Sequence, residues 1–147
     1  MKDELITLYL DGSSELKFIP EFVSNFSIDG HSFFYFSTDS LKSTSLSAGY
    51  YEAILTDQIG FYAKRRKTIK ENISTQTIIS KFLDEDRFFV KMNGSFYSVS
   101  GRRSLLKLFK DKRKELINFI QRSNLNFRDE PEQAMKEVIT QYNRLKN

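Results

Sequence analysis

The sequence predicts an α+β fold: an N-terminal antiparallel β-hairpin meander, forming a curled or barrel-like sheet, followed by a three-helix C-terminal segment. Three observations lead to this expectation. Asp-Gly and Asn-Gly dipeptides stand between runs of alternating apolar and polar residues, which is typical of two-residue hairpin turns. Aromatic residues are frequent, with 14 phenylalanines and 7 tyrosines, and they favour strands. After residue 100 the apolar period changes from 2 to about 3.6, which indicates helices.

The length of 147 residues predicts a single domain, with residues 1–100 mainly β and residues 101–147 helical. The chain has no cysteine, which excludes disulfides and thiolate metal sites. No apolar run approaches the roughly 20 residues of a membrane-spanning helix, so we expect no transmembrane segment. Met1 is followed by charged residues and not by a signal-peptide pattern. If the protein is exported, we expect its leader to lie outside this sequence.

The first two hairpins are predicted from alternation and turn residues. Residues 4–10 alternate as a strand does, and residues 16–19 predict its partner. The next hairpin turns at Asp29-Gly30, a type I′ signal that pairs Ile28 with His31. Strands are therefore expected on both sides of this turn.

The middle of the chain gives a weaker signal. Residues 38–47 are rich in serine and threonine and predict a loop. Residues 50–55 and 59–64 predict a third hairpin, although glutamine in its Asp57-Gln58 turn tolerates positive φ poorly. Residues 68–86 follow neither period cleanly, so we interpret them as a loop with at most one short element.

The clearest hairpin turns at Asn93-Gly94, again with type I′ chemistry. Its register sets Val90 opposite Tyr97 and Phe88 opposite Val99. We expect one face of this hairpin to form the floor under the helices, and its members are Phe88, Val90, Met92, Tyr97 and Val99.

Three helices are predicted after this hairpin. Ser104 and Asp111 are the expected N-caps of the first two. Asp129 and Glu132 form a capping-box pattern at the start of the third, with Pro131 in its first turn. Each helix has one apolar stripe, so each is expected to rest by one face on the rest of the domain.

No catalytic constellation is visible in the sequence. His31 is the single histidine and has no partner at a spacing typical of nucleophilic or metal chemistry. The acids at 84–86 are contiguous and point in different directions, which does not suit a paired acid and base. No glycine-rich phosphate loop is present. We therefore predict a non-enzymatic protein without a cofactor or metal.

The charge distribution is the main functional signal. Residues 1–60 carry a formal charge of −6 and residues 61–147 carry +10. The candidate anion-binding or partner-binding residues are Lys64, Arg65, Arg66, Lys67, Arg102 and Arg103. Tyr62, Phe89 and Phe96 lie near these clusters in sequence, an arrangement that single-stranded nucleic-acid binding uses. The alternative is that acidic and basic faces of one domain partly neutralise each other.

Several segments together point to a known group of proteins. They are residues 22–26, 50–55, 62–65, 89–94, 104–109, 111–116, 124–127 and 142–143. In these segments the chain resembles uncharacterised envelope proteins of Bacteroidota. It departs from them at Gln58, where they usually have glycine, and residues 68–86 do not align. The resemblance implies a small exported protein, periplasmic or associated with the outer membrane, and implies no activity.

These observations lead to one functional expectation and two alternatives. We expect a non-catalytic structural or interaction domain of the bacterial cell envelope, whose partner is another envelope protein or a surface polymer. The first alternative is a basic surface that binds nucleic acid or anionic lipid. The second is a hydrolase-like enzyme with a cleft between sheet and helices. Oligomeric state is left open by the sequence.

Overall fold

The computed structural model describes residues 6–10, 14–18, 22–39, 41, 46–74 and 77–147, with the backbone alone in 6–18 and 67–84. These residues form ten strands and three α-helices. The strands are β1 Ile6–Leu10, β2 Ser14–Phe18, β3 Asn25–Ile28, β4 His31–Phe36, β5 Gly49–Leu55, β6 Gly60–Lys64, β7 Lys67–Ser74, β8 Thr77–Asp84, β9 Arg87–Met92 and β10 Ser95–Val99. The helices are α1 Arg102–Leu108, α2 Arg113–Arg122 and α3 Pro131–Lys146, with a 3-10 turn at Lys110–Lys112 before α2.

Six of the described strands form one antiparallel sheet in the order β10-β9-β6-β5-β4-β3. The pairs β1-β2 and β7-β8 are separate two-stranded hairpins. The sheet is not closed, because β3 and β10 lie at its two ends. The predicted α+β arrangement of antiparallel hairpins followed by three helices is confirmed.

The two glycine-containing turns adopt the predicted geometry. Asp29 and Gly30 have φ of 50° and 81°, and Asn93 and Gly94 have φ of 52° and 74°. Glycine reaches these angles without the steric cost that other residues carry. The predicted registers follow: Ile28 pairs with His31, and the β9-β10 pairs agree residue by residue.

Residues 68–86 are not the predicted loop. They form most of the β7-β8 hairpin, in which Lys67 pairs with Asp84 and Ile73 with Ile78. The abundant isoleucine and threonine of this stretch favour extended backbone, and that preference outweighs the irregular apolar period. The hairpin is an insertion, because β6 and β9 on either side of it pair directly in the main sheet. The Glu85 N–H donates to the Arg66 carbonyl at 2.8 Å where the hairpin begins and ends.

Both faces of the main sheet carry buried side chains. One face packs against the three helices, with Phe61, Val90 and Val99 beneath residues such as Leu105 and Met135. The other face holds a second cluster, whose buried members are Leu41, Leu46, Tyr51, Tyr62, Phe89 and Phe96. The part of the sheet formed by β6, β9 and β10 therefore has a core on each side.

The predicted floor under the helices is correct except at one residue. Val90 and Val99 are buried there, and Phe88 and Met92 pack against the same core. Tyr97 shares their face but is 40% exposed. It lies on β10, an edge strand of the sheet, so a residue on the face that packs against the helices still remains partly exposed.

The predicted helix caps are wrong in detail. Ser104 is not the N-cap of α1 but lies in its first turn, where its hydroxyl accepts from the Gly101 N–H at 3.2 Å. Asp111 accepts instead from the Tyr142 hydroxyl at 3.1 Å. No side-chain cap is present at the start of α3, although Pro131 opens that helix as expected. Ser104 thus still serves its own helix end, from the third helical position, whereas Asp111 bonds to α3 in place of a local capping contact.

Asn143 fixes α3 to the sheet. Its side chain is buried, its Oδ1 accepts from the Ile59 N–H at 2.9 Å, and its Nδ2 donates to the Ile59 carbonyl at 3.1 Å. Ile59 lies in the connection between β5 and β6, immediately before β6. One amide thus satisfies both backbone groups of this residue, which could not remain buried without partners.

Candidate interaction surfaces

Arg65 follows β6 directly and lies at the centre of an ion-pair network. Its Nε donates to Glu52 at 2.5 Å, and its Nη1 donates to Asp86 at 2.5 Å. The carboxylate of Glu132 in α3 accepts hydrogen bonds from both Nη1 and Nη2, at 2.7 and 3.1 Å. All three guanidinium nitrogens are therefore occupied by carboxylates of the protein itself. Burial alone would lower the pKa of Arg65, but these hydrogen bonds raise it above its ordinary value.

Glu52 is the buried carboxylate of this network. Its side chain is 7% exposed, and its second oxygen contacts Nδ1 of His31 at 2.5 Å. Burial would raise the pKa of Glu52, but the hydrogen bonds from Arg65 and His31 outweigh it and hold that pKa below the ordinary value. His31 remains 60% exposed. The histidine thus lies on the solvent side of the Glu52–Arg65 ion pair.

Sequence reasoning missed the partners of His31 and Arg65. The turn at Asp29-Gly30 sets the β3-β4 register, but the β4-β5 register depends on a long connection without a recognisable turn dipeptide. Glu132 lies 67 residues from Arg65 along the chain. No local signal in the sequence joins residues that the tertiary fold alone brings together.

The other cations at the end of β6 and just after it differ from one another. The Lys64 ammonium donates to the Ser47 hydroxyl at 2.7 Å and lies 5.3 Å from the centre of the Tyr51 ring. It therefore ties β6 to the segment before β5. Arg66 is exposed, whereas the side chain of Lys67 lies outside the described residues. The predicted cluster of four cations thus contains two that are engaged internally.

A basic groove lies between α1 and α2. Its walls carry four exposed cations, and its floor is apolar with Leu106 and Ile117; the cations are Arg102, Arg103, Lys107 and Arg113. The groove has a volume of about 550 Å³. Among the residues that the structure describes, no carboxylate pairs with any of these four cations. Two of the predicted site residues, Arg102 and Arg103, are therefore brought together with Lys107 and Arg113.

The aromatic residues near the basic clusters are not available to a ligand. Tyr62, Phe89 and Phe96 are only 8%, 3% and 6% exposed, and all belong to the core on the face away from the helices. Base stacking requires an exposed ring face. The described arrangement therefore does not provide the stacking platform that the sequence suggested at these three positions.

A second cavity, of about 460 Å³, lies where the ends of β9 and β10 meet the start of α3. Asp86 lines it, but this carboxylate is held by Arg65 at 2.5 Å. Ser98 and Ser100 also line it, without a histidine among the lining residues. The cavity therefore offers hydroxyl groups but no adjacent free base to activate them.

Two general features are absent from the described residues. No three His, Asp or Glu side chains there are grouped so as to hold a metal ion. No helix in the described part of the chain combines the length and apolarity needed to cross a bilayer.

Comparison with known proteins finds no match to any family model, curated protein or solved structure. The resemblance to envelope proteins of Bacteroidota therefore stays a prediction.

Proposed function

We propose that this protein is a non-catalytic interaction domain of the bacterial cell envelope that binds an acidic partner protein through the basic groove between α1 and α2. The observation that carries the proposal is the set of cations around an apolar floor that have no carboxylate partner among the described residues. Charged surfaces of this kind steer and select partners of opposite charge.

The position of the arginines in α1 supports a binding role. Arg102 and Arg103 occupy the first turn of α1, which contains no acidic residue. The helix dipole disfavours positive charge at this end, so the two arginines do not serve the stability of the helix. A partner with negative charge would offset that cost. By contrast, Arg65 and Lys64 are engaged within the protein.

A second candidate function is the binding of nucleic acid or anionic lipid by the same cations. The excess of basic residues in 61–147 favours it. The burial of Tyr62, Phe89 and Phe96 counts against nucleic acid in particular. An enzymatic function using the cavity beside Asp86 lacks a free base among the lining residues. We therefore place the protein partner first.

A comparative pull-down from a Bacteroidota envelope extract tests the proposal. The baits are the wild-type chain, an Arg102→Glu/Arg103→Glu variant and a control Arg128→Glu/Arg144→Glu variant. Both variants lower the formal net charge from +4 to 0, but the control residues do not line the groove. We expect one protein to be retained by the wild type and the control, lost by the groove variant, and eluted by salt because the contacts are charged.

Two results would contradict this function. Equal recovery on all three baits would show that the groove is not the binding surface. Retained material that nuclease treatment removes would favour the nucleic-acid alternative.

The proposed location has its own test, which is fractionation of cells. Recovery in the cytosolic fraction alone would exclude a periplasmic or outer-membrane-associated protein.

A further inference from the structure

The α1-α2 groove combines two kinds of surface that select for the chemistry of its occupant. Arg102, Arg103 and Lys107 line one wall, and Arg113 lies on the other. Between them the floor is formed by Leu106, which is 5% exposed, and by the half-buried Ile117. A ligand that fills this groove therefore meets cations on both sides and hydrocarbon beneath.

The cations around the groove have no counter-charge within the described residues. Asp111 and Glu115 are the acids nearest along the chain, but Asp111 binds Lys146 at 2.8 Å and Glu115 lies 3.8 Å from Lys112. Lys110 and Lys114 are exposed and add positive charge close by in the sequence. The groove therefore has an uncompensated positive field that favours a ligand with several negative charges.

The shape and chemistry of the groove favour one of three kinds of anionic ligand: a bilayer surface, single-stranded nucleic acid or an acidic peptide. A bilayer surface is flat, so it would contact the rim cations and leave the floor unfilled. Single-stranded nucleic acid is held by stacking on aromatic rings, and no aromatic ring among the described residues lines the groove. An acidic peptide segment places carboxylates on the rim and an apolar side chain on the floor. It is the occupant that matches both surfaces.

We infer that the groove binds a short acidic segment of a partner protein, with carboxylates flanking at least one large apolar side chain. This inference rests on the proposed function and adds the chemical class of the bound segment. The carboxylates pair with Arg103 of α1 and Arg113 of α2, since guanidinium groups can bind carboxylates in bidentate geometry. The apolar side chain is buried against Ile117.

Fluorescence anisotropy with defined peptides tests this inference on the whole chain. The probe is a labelled peptide of about ten residues with glutamates flanking a central leucine, a length on the scale of peptides that dock in grooves. The comparison probe has serine in place of leucine and the same charge. We expect the leucine peptide to bind about tenfold tighter or more, because only it buries an apolar side chain.

Variants of the protein then locate the binding. Arg103→Glu/Arg113→Glu removes one cation from each wall, and Arg128→Glu/Arg144→Glu makes the same charge change outside the groove. We expect the first variant to lose at least about tenfold in affinity for the leucine peptide and the second to lose little. Thermal unfolding of each variant checks that both remain folded.

The outcomes distinguish this inference from the function on which it rests. Equal binding of the two peptides, still dependent on Arg103 and Arg113, would overturn the apolar subsite but leave an acidic partner in place. Tighter binding to anionic vesicles or to single-stranded oligonucleotide than to the leucine peptide would overturn the peptide class. Binding of none of these probes would overturn both proposals.

Discussion

At the scale of single residues, Arg65 is the clearest example of a charged side chain used for structure. It contacts carboxylates from three separate segments: Glu52 in β5, Asp86 before β9 and Glu132 in α3. A buried carboxylate is stable only when it is paired and hydrogen-bonded. Arg65 meets that requirement for Glu52, and it also connects α3 to the sheet.

Replacing Arg65 by leucine should therefore destabilise the fold. Among the described residues, Glu52 would be left buried with His31 as its remaining side-chain partner. We expect a loss of about 2–4 kcal/mol in the free energy of unfolding. This is below the full cost of a wholly buried pair because Arg65 is 33% exposed and water screens part of the interaction. Urea denaturation at pH 7 measures the change.

The matched control is the neighbouring Arg66, which is exposed. Arg66→Leu should change stability by less than about 0.5 kcal/mol, as exposed positions usually do. If the two variants were equally stable, the ion-pair network around Arg65 would contribute nothing measurable to the free energy of unfolding. An Arg65→Leu/Glu52→Leu double variant should regain part of the lost stability, because it removes the unpaired buried charge.

At the scale of elements, the sequence predicts what local chemistry determines. Asp29-Gly30 and Asn93-Gly94 specify their turns, and through them the registers of two hairpins. The groove was half predicted, because Arg102 and Arg103 are adjacent in sequence but Arg113 reaches them only through the packing of α2 on α1. Helix caps were mispredicted where tertiary partners were available, as for Asp111. The unpredicted features are those that depend on contacts between distant segments.

Asn143 provides a test of how one element is attached to another. Asn143→Ala would leave the Ile59 N–H and carbonyl buried without the two hydrogen bonds they now make. Leaving buried polar groups unsatisfied is costly, so we expect a loss of about 2–3 kcal/mol in unfolding free energy. Faster hydrogen exchange at the Ile59 amide would show that the loss arises at this contact.

Arg144→Ala is the control for that experiment, since Arg144 is the next residue of α3 and is exposed. It should leave exchange at Ile59 unchanged. Unaltered exchange in the Asn143→Ala protein would mean that the amide of Ile59 is protected by something other than the Asn143 side chain.

At the scale of the whole molecule, the uneven charge distribution has two consequences. Part of it is neutralised internally, because Glu52 from the acidic first 60 residues pairs with Arg65 from the basic remainder. Within the described part of the chain, another part has no counter-charge in the α1-α2 groove. Mutual neutralisation thus applies to the Arg65 network, and the proposed partner binding concerns the α1-α2 groove. The internal part should govern how the stability of the whole fold depends on pH.

The pKa of Glu52 is held below its ordinary value of 4.5 by Arg65 and His31, against the effect of burial. As pH falls, the unfolded chain takes up a proton at this residue before the folded protein does, so acid favours unfolding. The stabilisation is fully present above about pH 5 and is lost as pH falls through the lower folded pKa.

Comparing wild-type protein with Glu52→Gln isolates this contribution. Asp111, whose pKa is also lowered, chiefly by its hydrogen bond with Lys146, is present in both proteins and cancels in the difference. We expect the wild type to be more stable at pH 7 and its advantage to shrink steadily from about pH 5 to about pH 3. Urea unfolding at several pH values gives the difference directly. An advantage that stayed constant over this range would mean that the ionised carboxylate contributes no more than the neutral amide, and that packing alone holds residue 52 in place.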